Sequence, residues 1–152
     1  MLVQMLVQNF KTFQDPGEDI VIDETMIPYR GRLSFKQYIP GKAHKYGVKL
    51  FKLTDPSGYT YNVEIYQGKS NNLAFDGVSK SAGICLRLAA DYFDKGRTLT
   101  VDNFYTSVEL AEKCLGKRTH LQGTLRKRSK RIASFERKPK ERRVHFKRKG
   151  MK

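Results

Sequence analysis

The chain has 152 residues, of which 39% are hydrophobic and 30% are charged, which suffices for one folded domain with a core. Residues 1–116 carry 14 basic and 13 acidic side chains, whereas residues 117–152 carry 16 basic and 2 acidic ones. This balance favours a polyanion as partner and gives no indication of a small-molecule substrate. No run of about 18 apolar residues occurs, so we expect no membrane partner.

Only two cysteines, Cys85 and Cys114, are present, and neither belongs to a C-x-x-C pair. The pattern excludes a zinc knuckle and a C-x-x-C redox motif, and a disulfide-stabilised secreted fold usually carries more cysteines. Residues 1–10 lack the basic start and the small-residue cleavage site of a signal peptide. We therefore expect an intracellular, reducing location.

The amino-terminal segment contains a tandem repeat, because MLVQ occurs at residues 1–4 and again at 5–8. A four-residue step places like side chains over one another on one face of a helix. A frayed terminus is an equally good interpretation of so short a repeat. The turn signal Asp15-Pro16-Gly17 closes the segment, and the β-branched run after it predicts a strand over residues 19–23.

The following stretch, residues 29–45, alternates basic and aromatic side chains, while its prolines and glycines disfavour a long regular element. Basic residues interleaved with aromatic ones are suited to contacting phosphates and stacking on bases. A solvated loop whose aromatic rings pack inward explains the same composition, which by itself favours that interpretation. The residues concerned are Tyr29, Arg30, Arg32, Phe35, Lys36, Tyr38, Lys42 and Lys45.

The remainder of the body predicts an α/β fold. Strands over residues 46–54 and 59–66 are joined by the turn sequence D-P-S-G and form a hairpin. The pattern then predicts a helix over 83–93, a strand over 98–102, a helix capped by Ser107 and a strand over 120–125. This order is typical of a mixed sheet with flanking helices, within one domain over residues 1–125.

Two acidic residues stand at the ends of apolar strands. Asp23 follows Ile20-Val21-Ile22, and Asp102 follows Leu99-Thr100-Val101. A buried strand that ends in an acid delivers its carboxylate to the rim of a sheet. Two such units indicate one site that is assembled by folding.

Residues 126–152 are too polar and too self-repelling to extend a core, so we expect a disordered basic tail. A cluster within it is typical of a nuclear-localisation signal and of phosphate contacts. Its members are Arg126, Lys127, Arg128, Lys130 and Arg131.

The sequence resembles the transposase domain of piggyBac-type elements and of the host proteins derived from them. The resemblance covers about residues 10–127 and rests on IDETMIPYRGRLSFKQYIPGKAHKYGVKLFKL, GYTYNVEIYQGKS and VDNFYTSVELAEKCLGKRTHLQGTLRK. It implies an RNase H-like fold and a DDE/D cut-and-paste transposase, whose first two catalytic, Mg²⁺-binding acids fall on Asp23 and Asp102. Carboxylates suit Mg²⁺, and a pair of such ions promotes in-line phosphoryl displacement.

The sequence departs from the family in its third acid. That acid lies in a G-V-D-x-x-D-like string beyond the fifth strand, and no such string occurs here. Glu136 and Glu141 lie in the basic tail, whereas Glu109 and Glu112 fit the first turn and the solvated face of a helix. We therefore expect an incomplete domain that holds Mg²⁺ weakly or not at all and is inactive alone.

The combined interpretation is a nuclear, piggyBac transposase-derived protein that binds DNA. The residues predicted to lie nearest to DNA, besides the tail cluster, are Arg30, Arg32, Lys36, Lys42 and Lys45. A second copy or a longer transposase chain is a further expected partner. Two alternatives stay open: a metal-dependent transposase or nuclease active in a longer or completed form, and a non-specific polyanion-binding protein acting through its tail.

Overall fold

The computed structural model describes residues 2–41, 43–68 and 77–125. The predicted tail and its basic cluster lie outside these residues. The domain boundary at residue 125 therefore stays a prediction. One 3₁₀ turn, Ala90–Tyr92, follows the second helix. The elements, in chain order, are α1 Leu2–Phe13, β1 Asp19–Pro28, β2 Gln37–Tyr38, β3 Tyr46–Thr54, β4 Thr60–Ile65, α2 Lys80–Leu88, β5 Thr98–Val101, α3 Val108–Gly116 and β6 His120–Gly123.

The six described strands form one mixed sheet in the order β2-β3-β1-β5-β6, with β4 also paired to β3. Strand β1 runs antiparallel to β3 and parallel to β5, and β5 runs parallel to β6. Strands β3 and β4 form the predicted hairpin. The mixed sheet with flanking helices is therefore confirmed.

The core lies on one face of the sheet, and buried residues alternate with less buried ones in the first half of β1 and along β5. Helices α2 and α3 contribute Cys85, Leu88, Leu110 and Cys114 to the same cluster, and both cysteines are free thiols. Because successive strand residues point to opposite faces, the residue after Ile22 lies on the face away from this core. The sheet members of the core include Ile20, Ile22, Leu53, Leu99, Val101 and Leu121.

Strand β1 extends to Pro28, five residues beyond its predicted end at Asp23. Strand β3 pairs with it from Val21 to Pro28, so the backbone ladder continues after the apolar pattern has ended. The short strand β2 was not predicted, since only two residues of β3, Tyr46 and Gly47, hold it. Pairing partners, which a local pattern does not contain, decide both differences.

Serine side chains set where helices α2 and α3 begin. The Ser79 hydroxyl accepts a hydrogen bond from the backbone N–H of Ala82 at 3.4 Å, so α2 begins three residues before the predicted position. It ends at Leu88 instead of residue 93, because the backbone of Ala89 leaves the helical conformation. Ser107 caps α3 as predicted and accepts from the N–H of Leu110 at 3.1 Å.

The repeated MLVQ segment is helical, so of its two interpretations the helix is the one found. Helix α1 packs beside β4, where the Tyr59 hydroxyl donates to the carbonyl of Phe10 at 2.9 Å. Lys11 forms an ion pair with Asp91 of the 3₁₀ turn at 2.5 Å. Among the described helices, none has the length and apolar character needed to cross a membrane.

Arg97, which is 7% exposed, joins the segment before β1 to the start of β5. Its Nε donates to the carbonyl of Gly17 at 2.9 Å, and its Nη2 donates to the carbonyl of Pro16 at 2.8 Å. The same Nη2 reaches a carboxylate oxygen of Asp15 at 3.1 Å. Its Nη1 is buried without a partner in the described part of the chain, so the three bonds must offset the cost of burying the guanidinium.

We expect Arg97→Lys to lower the free energy of unfolding by about 1–3 kcal/mol, because one ammonium cannot reproduce the planar fork that serves three acceptors. Urea denaturation measures the change. Arg118→Lys is the matched control, because the Arg118 side chain is 77% exposed and its ion pair with Asp94 is 3.6 Å long. Equal losses in the two variants would contradict the role given to Arg97.

We expect the ionisation of Tyr61 to lower the free energy of unfolding at alkaline pH. Burial, and then its hydrogen bond to Asp55, raise the pKa of Tyr61 to about 12 from its ordinary value of 10. Its contribution to the free energy of unfolding is therefore complete below pH 10 and is lost, by roughly 2 kcal/mol, as the pH rises to 12.

Thermal unfolding across this range should show a smaller decline in Tyr61→Phe than in the parent chain. Tyr92, whose pKa burial also raises to about 12, accounts for part of the decline that persists. Tyr38→Phe removes a tyrosine that is 56% exposed and should retain the parental curve. Identical curves for Tyr61→Phe and the parent would refute the prediction.

Candidate functional site

The two predicted acids lie at the next position of two neighbouring parallel strands. The register of β1 and β5 pairs Ile22 with Val101, and Asp23 and Asp102 follow these residues directly. Neighbouring strands are about 4.8 Å apart, and both aspartates are exposed. The fold therefore brings together the two acids that the sequence places at strand ends.

Asp23 has Asp102 just after the neighbouring parallel strand and Lys52 on the neighbouring antiparallel strand. One of its carboxylate oxygens accepts a hydrogen bond from the backbone N–H of Glu24 at 2.7 Å. Across the antiparallel pairing with β3, the residue directly opposite is Lys52, which is partly buried. A cross-strand base beside Asp23 reduces the repulsion expected between two neighbouring carboxylates.

Asp102 begins a tight turn whose backbone is closely fixed. Its carbonyl oxygen accepts hydrogen bonds from the N–H of Tyr105 at 3.0 Å and of Thr106 at 3.1 Å. The Thr106 hydroxyl donates to the same oxygen at 2.9 Å. Gly123 of β6 permits this arrangement, because a Cβ there would collide with the Thr106 side chain and the carbonyl of Val101. The Asp102 backbone is therefore held although it lies beyond β5.

Tyr105 connects this turn to the residue after Asp23. Its side chain is fully buried, and its hydroxyl donates to Oε2 of Glu24 at 3.3 Å. Burial, and then the charge of Glu24, raise the pKa of Tyr105 well above its ordinary value, so the hydroxyl keeps its proton. Neither residue was among the predicted site residues, and the only sequence signal is their place beside the two aspartates.

The donor atoms of the two aspartates fit Mg²⁺, which proteins commonly hold through one or two carboxylates together with water and phosphate oxygens. Among the described residues, no group of three or more acidic, histidine or cysteine side chains could hold a metal ion. Glu109 is used elsewhere, because its carboxylate accepts from the N–H of Ser79 at 3.3 Å. Asp23 and Asp102 stay the predicted ligands, and the fold places them at neighbouring positions of two adjacent strands.

The predicted basic and aromatic segment continues from the end of β1. Arg30 and Lys45 are exposed and line one open recess of about 430 Å³ together with Tyr29, His44 and Tyr46. Arg32 is also exposed, whereas Lys42 and the tail cluster from Arg126 to Arg131 lie outside the described residues. Three of the five predicted basic side chains in this segment thus face solvent.

Among the four described basic side chains of this segment, Lys36 is partly buried. Its Nζ donates to the carbonyl of Gly31 at 3.0 Å and lies 5.7 Å from the ring centroid of Tyr46. The rings of Tyr38 and Tyr46 are 4.9 Å apart, and these residues are 56% and 50% exposed. Tyr29 is also exposed, so the inward packing that composition favoured is wrong for Tyr29 and Tyr38. Phe35 alone of the three predicted aromatic residues is partly buried.

Comparison with known proteins identifies the family. A family profile described as Transposase IS4 matches residues 1–149. Two human proteins, PiggyBac transposable element-derived protein 3 and the Chimeric ERCC6-PGBD3 protein, are each 31% identical to this chain over 108 residues. The match covers 69% of this chain but only 18% of the first protein and 10% of the second.

A solved structure agrees with the sequence matches. The cryo-EM structure of a piggyBac transposase synaptic complex with hairpin DNA has a TM-score of 0.78 and 27% sequence identity to this chain. The similarity covers 92% of this chain and 30% of that one, so this chain spans less than a third of each relative. The expected transposase fold is thereby confirmed. The chain belongs to the Transposase IS4 family and is a piggyBac transposase-derived protein.

Proposed function

We propose that this chain is a DNA-binding domain that carries the first two acidic positions of a DDE/D transposase and does not cut DNA alone. The observation that carries the proposal is the continuity of β1. The strand holds Asp23 beside Asp102 and leads, two residues after its end at Pro28, into the exposed Arg30. The proposal is that DNA bound to the basic segment extends along β1 toward the two carboxylates.

The basic and aromatic segment suits a nucleic acid better than a small anion. Arg30, Arg32 and Lys45 are exposed charges on an irregular surface, as contacts to successive phosphates require. Tyr38 and Tyr46, which pack against each other, stay about half exposed beside them, and every base offers a face on which an aromatic ring can stack. Binding through these groups releases counterions and therefore weakens as the salt concentration rises.

The role that we propose for Asp23 and Asp102 is that of weak Mg²⁺ ligands. When bound, Mg²⁺ supplies Lewis-acid stabilisation to in-line phosphoryl displacement. The chain itself holds the two carboxylates on adjacent strands and fixes the Asp102 carbonyl by three hydrogen bonds. In the described part of the chain, no group of three or more such ligands occurs. Two carboxylates alone hold the ion weakly, which is why we propose that the chain alone is inactive.

The remaining assignments follow from the same proposal. The tail cluster from Arg126 to Arg131 supports a nuclear location and adds phosphate contacts. The ancestral role is DNA recombination, and a second copy or a longer transposase chain is the partner that would complete the site. The competing function is non-specific polyanion binding, which requires only the tail.

Replacing both Arg30 and Lys45 by alanine should weaken binding to duplex DNA about tenfold at 100 mM salt and make the slope of log affinity against log salt shallower by about two. Fluorescence anisotropy at several salt concentrations measures both quantities. The matched control replaces Lys95 and Lys113, which are also exposed but lie in the turn before β5 and on α3. The control should lose less affinity.

Deletion of residues 126–152 distinguishes DNA binding by the domain, residues 1–125, from DNA binding by the tail. The domain alone should keep salt-dependent binding that the Arg30 and Lys45 replacements reduce further. Complete loss of binding on deletion would show that the tail alone binds, and would reject the proposed role of the basic segment.

Asp23→Ala and Asp102→Ala should leave DNA affinity unchanged or increase it, because each removes a negative charge that repels phosphate. A large loss of affinity in a folded variant would contradict this.

A nicking assay on supercoiled DNA with Mg²⁺ or Mn²⁺, run with the same variants, tests the proposed lack of cleavage activity. Cleavage that vanishes in both variants would instead establish a working site and favour the metal-dependent enzyme.

A further inference from the structure

A continuous series of contacts joins the two aspartates through residues that the proposed function does not use. The carbonyl of Asp102 accepts from the N–H of Tyr105 at 3.0 Å, and the hydroxyl of Tyr105 donates to Glu24 at 3.3 Å. The N–H of Glu24 then donates to the carboxylate of Asp23 at 2.7 Å. This series links the turn after β5 to the middle of β1.

We propose that Tyr105 and Glu24 form a brace that sets the position of Asp102 relative to Asp23, which makes both of them positioning residues. This inference rests on the proposed function, in which the two aspartates hold a divalent cation. The brace acts on the turn that begins at Asp102 and joins that turn to β1. Asp23 lies inside β1 and is paired to β3, whereas Asp102 lies just beyond the last residue of β5.

Tyr105 is rigid enough for this role. Its side chain is fully buried, and its ring makes edge contacts with Phe51 at 6.3 Å and with Phe104 at 4.9 Å between centroids. A tyrosine has few rotatable bonds, so a ring that is packed on two sides presents its hydroxyl in one direction. The brace therefore transmits the position of β1 to the turn that begins at Asp102.

A buried tyrosine also needs a hydrogen-bond partner for stability alone, and the chain contains a matched case of that simpler role. The fully buried Tyr61 donates its hydroxyl to Asp55 at 3.0 Å, but both residues belong to the hairpin of β3 and β4. Replacing either tyrosine by phenylalanine removes one hydroxyl and preserves the ring. Of these two tyrosines, Tyr105 is the one that joins β1 to the turn after β5, so its loss, unlike that of Tyr61, should alter the site.

Mn²⁺ binding to the full-length chain, measured by isothermal titration calorimetry without DNA, tests the brace. Tyr105→Phe should weaken Mn²⁺ affinity about tenfold, the lower end of the effect usual for groups that orient metal ligands. Tyr61→Phe should leave the affinity within about twofold of the parent. Glu24→Gln keeps an acceptor for the Tyr105 hydroxyl and should retain more affinity than Glu24→Ala. Thermal unfolding of each variant confirms that it is folded.

The outcomes distinguish a failure of the brace from a failure of the proposed site. If Asp23→Asn leaves Mn²⁺ binding unchanged, the metal site is absent and the inference falls with it. If Asp23→Asn removes binding but Tyr105→Phe behaves like Tyr61→Phe, the site stands and the brace is wrong. If Glu24→Gln loses as much affinity as Asp23→Asn, Glu24 is a ligand itself and the positioning role is overturned.

Discussion

The parallel pairing of β1 with β5 is the constraint on which the rest of the site depends. It sets Ile22 beside Val101 in the core and, one residue further, Asp23 beside Asp102 at the surface. Because side chains alternate along a strand, a slip of one residue would exchange buried and exposed positions on the moving strand. The core therefore fixes the register, and the register fixes the two carboxylates.

Placing two carboxylates side by side has an electrostatic cost that the fold keeps small. Two unit charges 4 Å apart repel by about 1 kcal/mol in water, and by several times more when shielded from solvent. Both aspartates are exposed, and Lys52 occupies the cross-strand position beside Asp23. Ile22 and Asp23 point to separate faces of β1, so the apolar packing of Ile22 does not desolvate the charge of Asp23.

Local pattern predicted most of the fold and the two aspartates, because strand-end acids and turn signals are written in adjacent residues. It did not predict that β1 continues to Pro28, since the pairing with β3 decides that length. The hydrogen bond from Tyr105 to Glu24 spans 81 residues and has no local signature. Composition also could not show which way Tyr38 points, because an aromatic ring in a loop serves a core or a surface equally well.

The hydrogen bonds of Arg97 fix the point from which β1 and β5 both extend toward the site. They fasten the backbone before β1 to the first residues of β5, and the N–H of Thr98 adds a bond to the carbonyl of Glu18 at 2.9 Å. From the first register pair, Asp19 with Thr98, each of the two segments extends four residues to reach its aspartate. An insertion or deletion within either short span would leave the carboxylates out of step even if the core repacked. A change of length in either span would therefore disrupt the alignment of the two aspartates, whatever reaction the site serves.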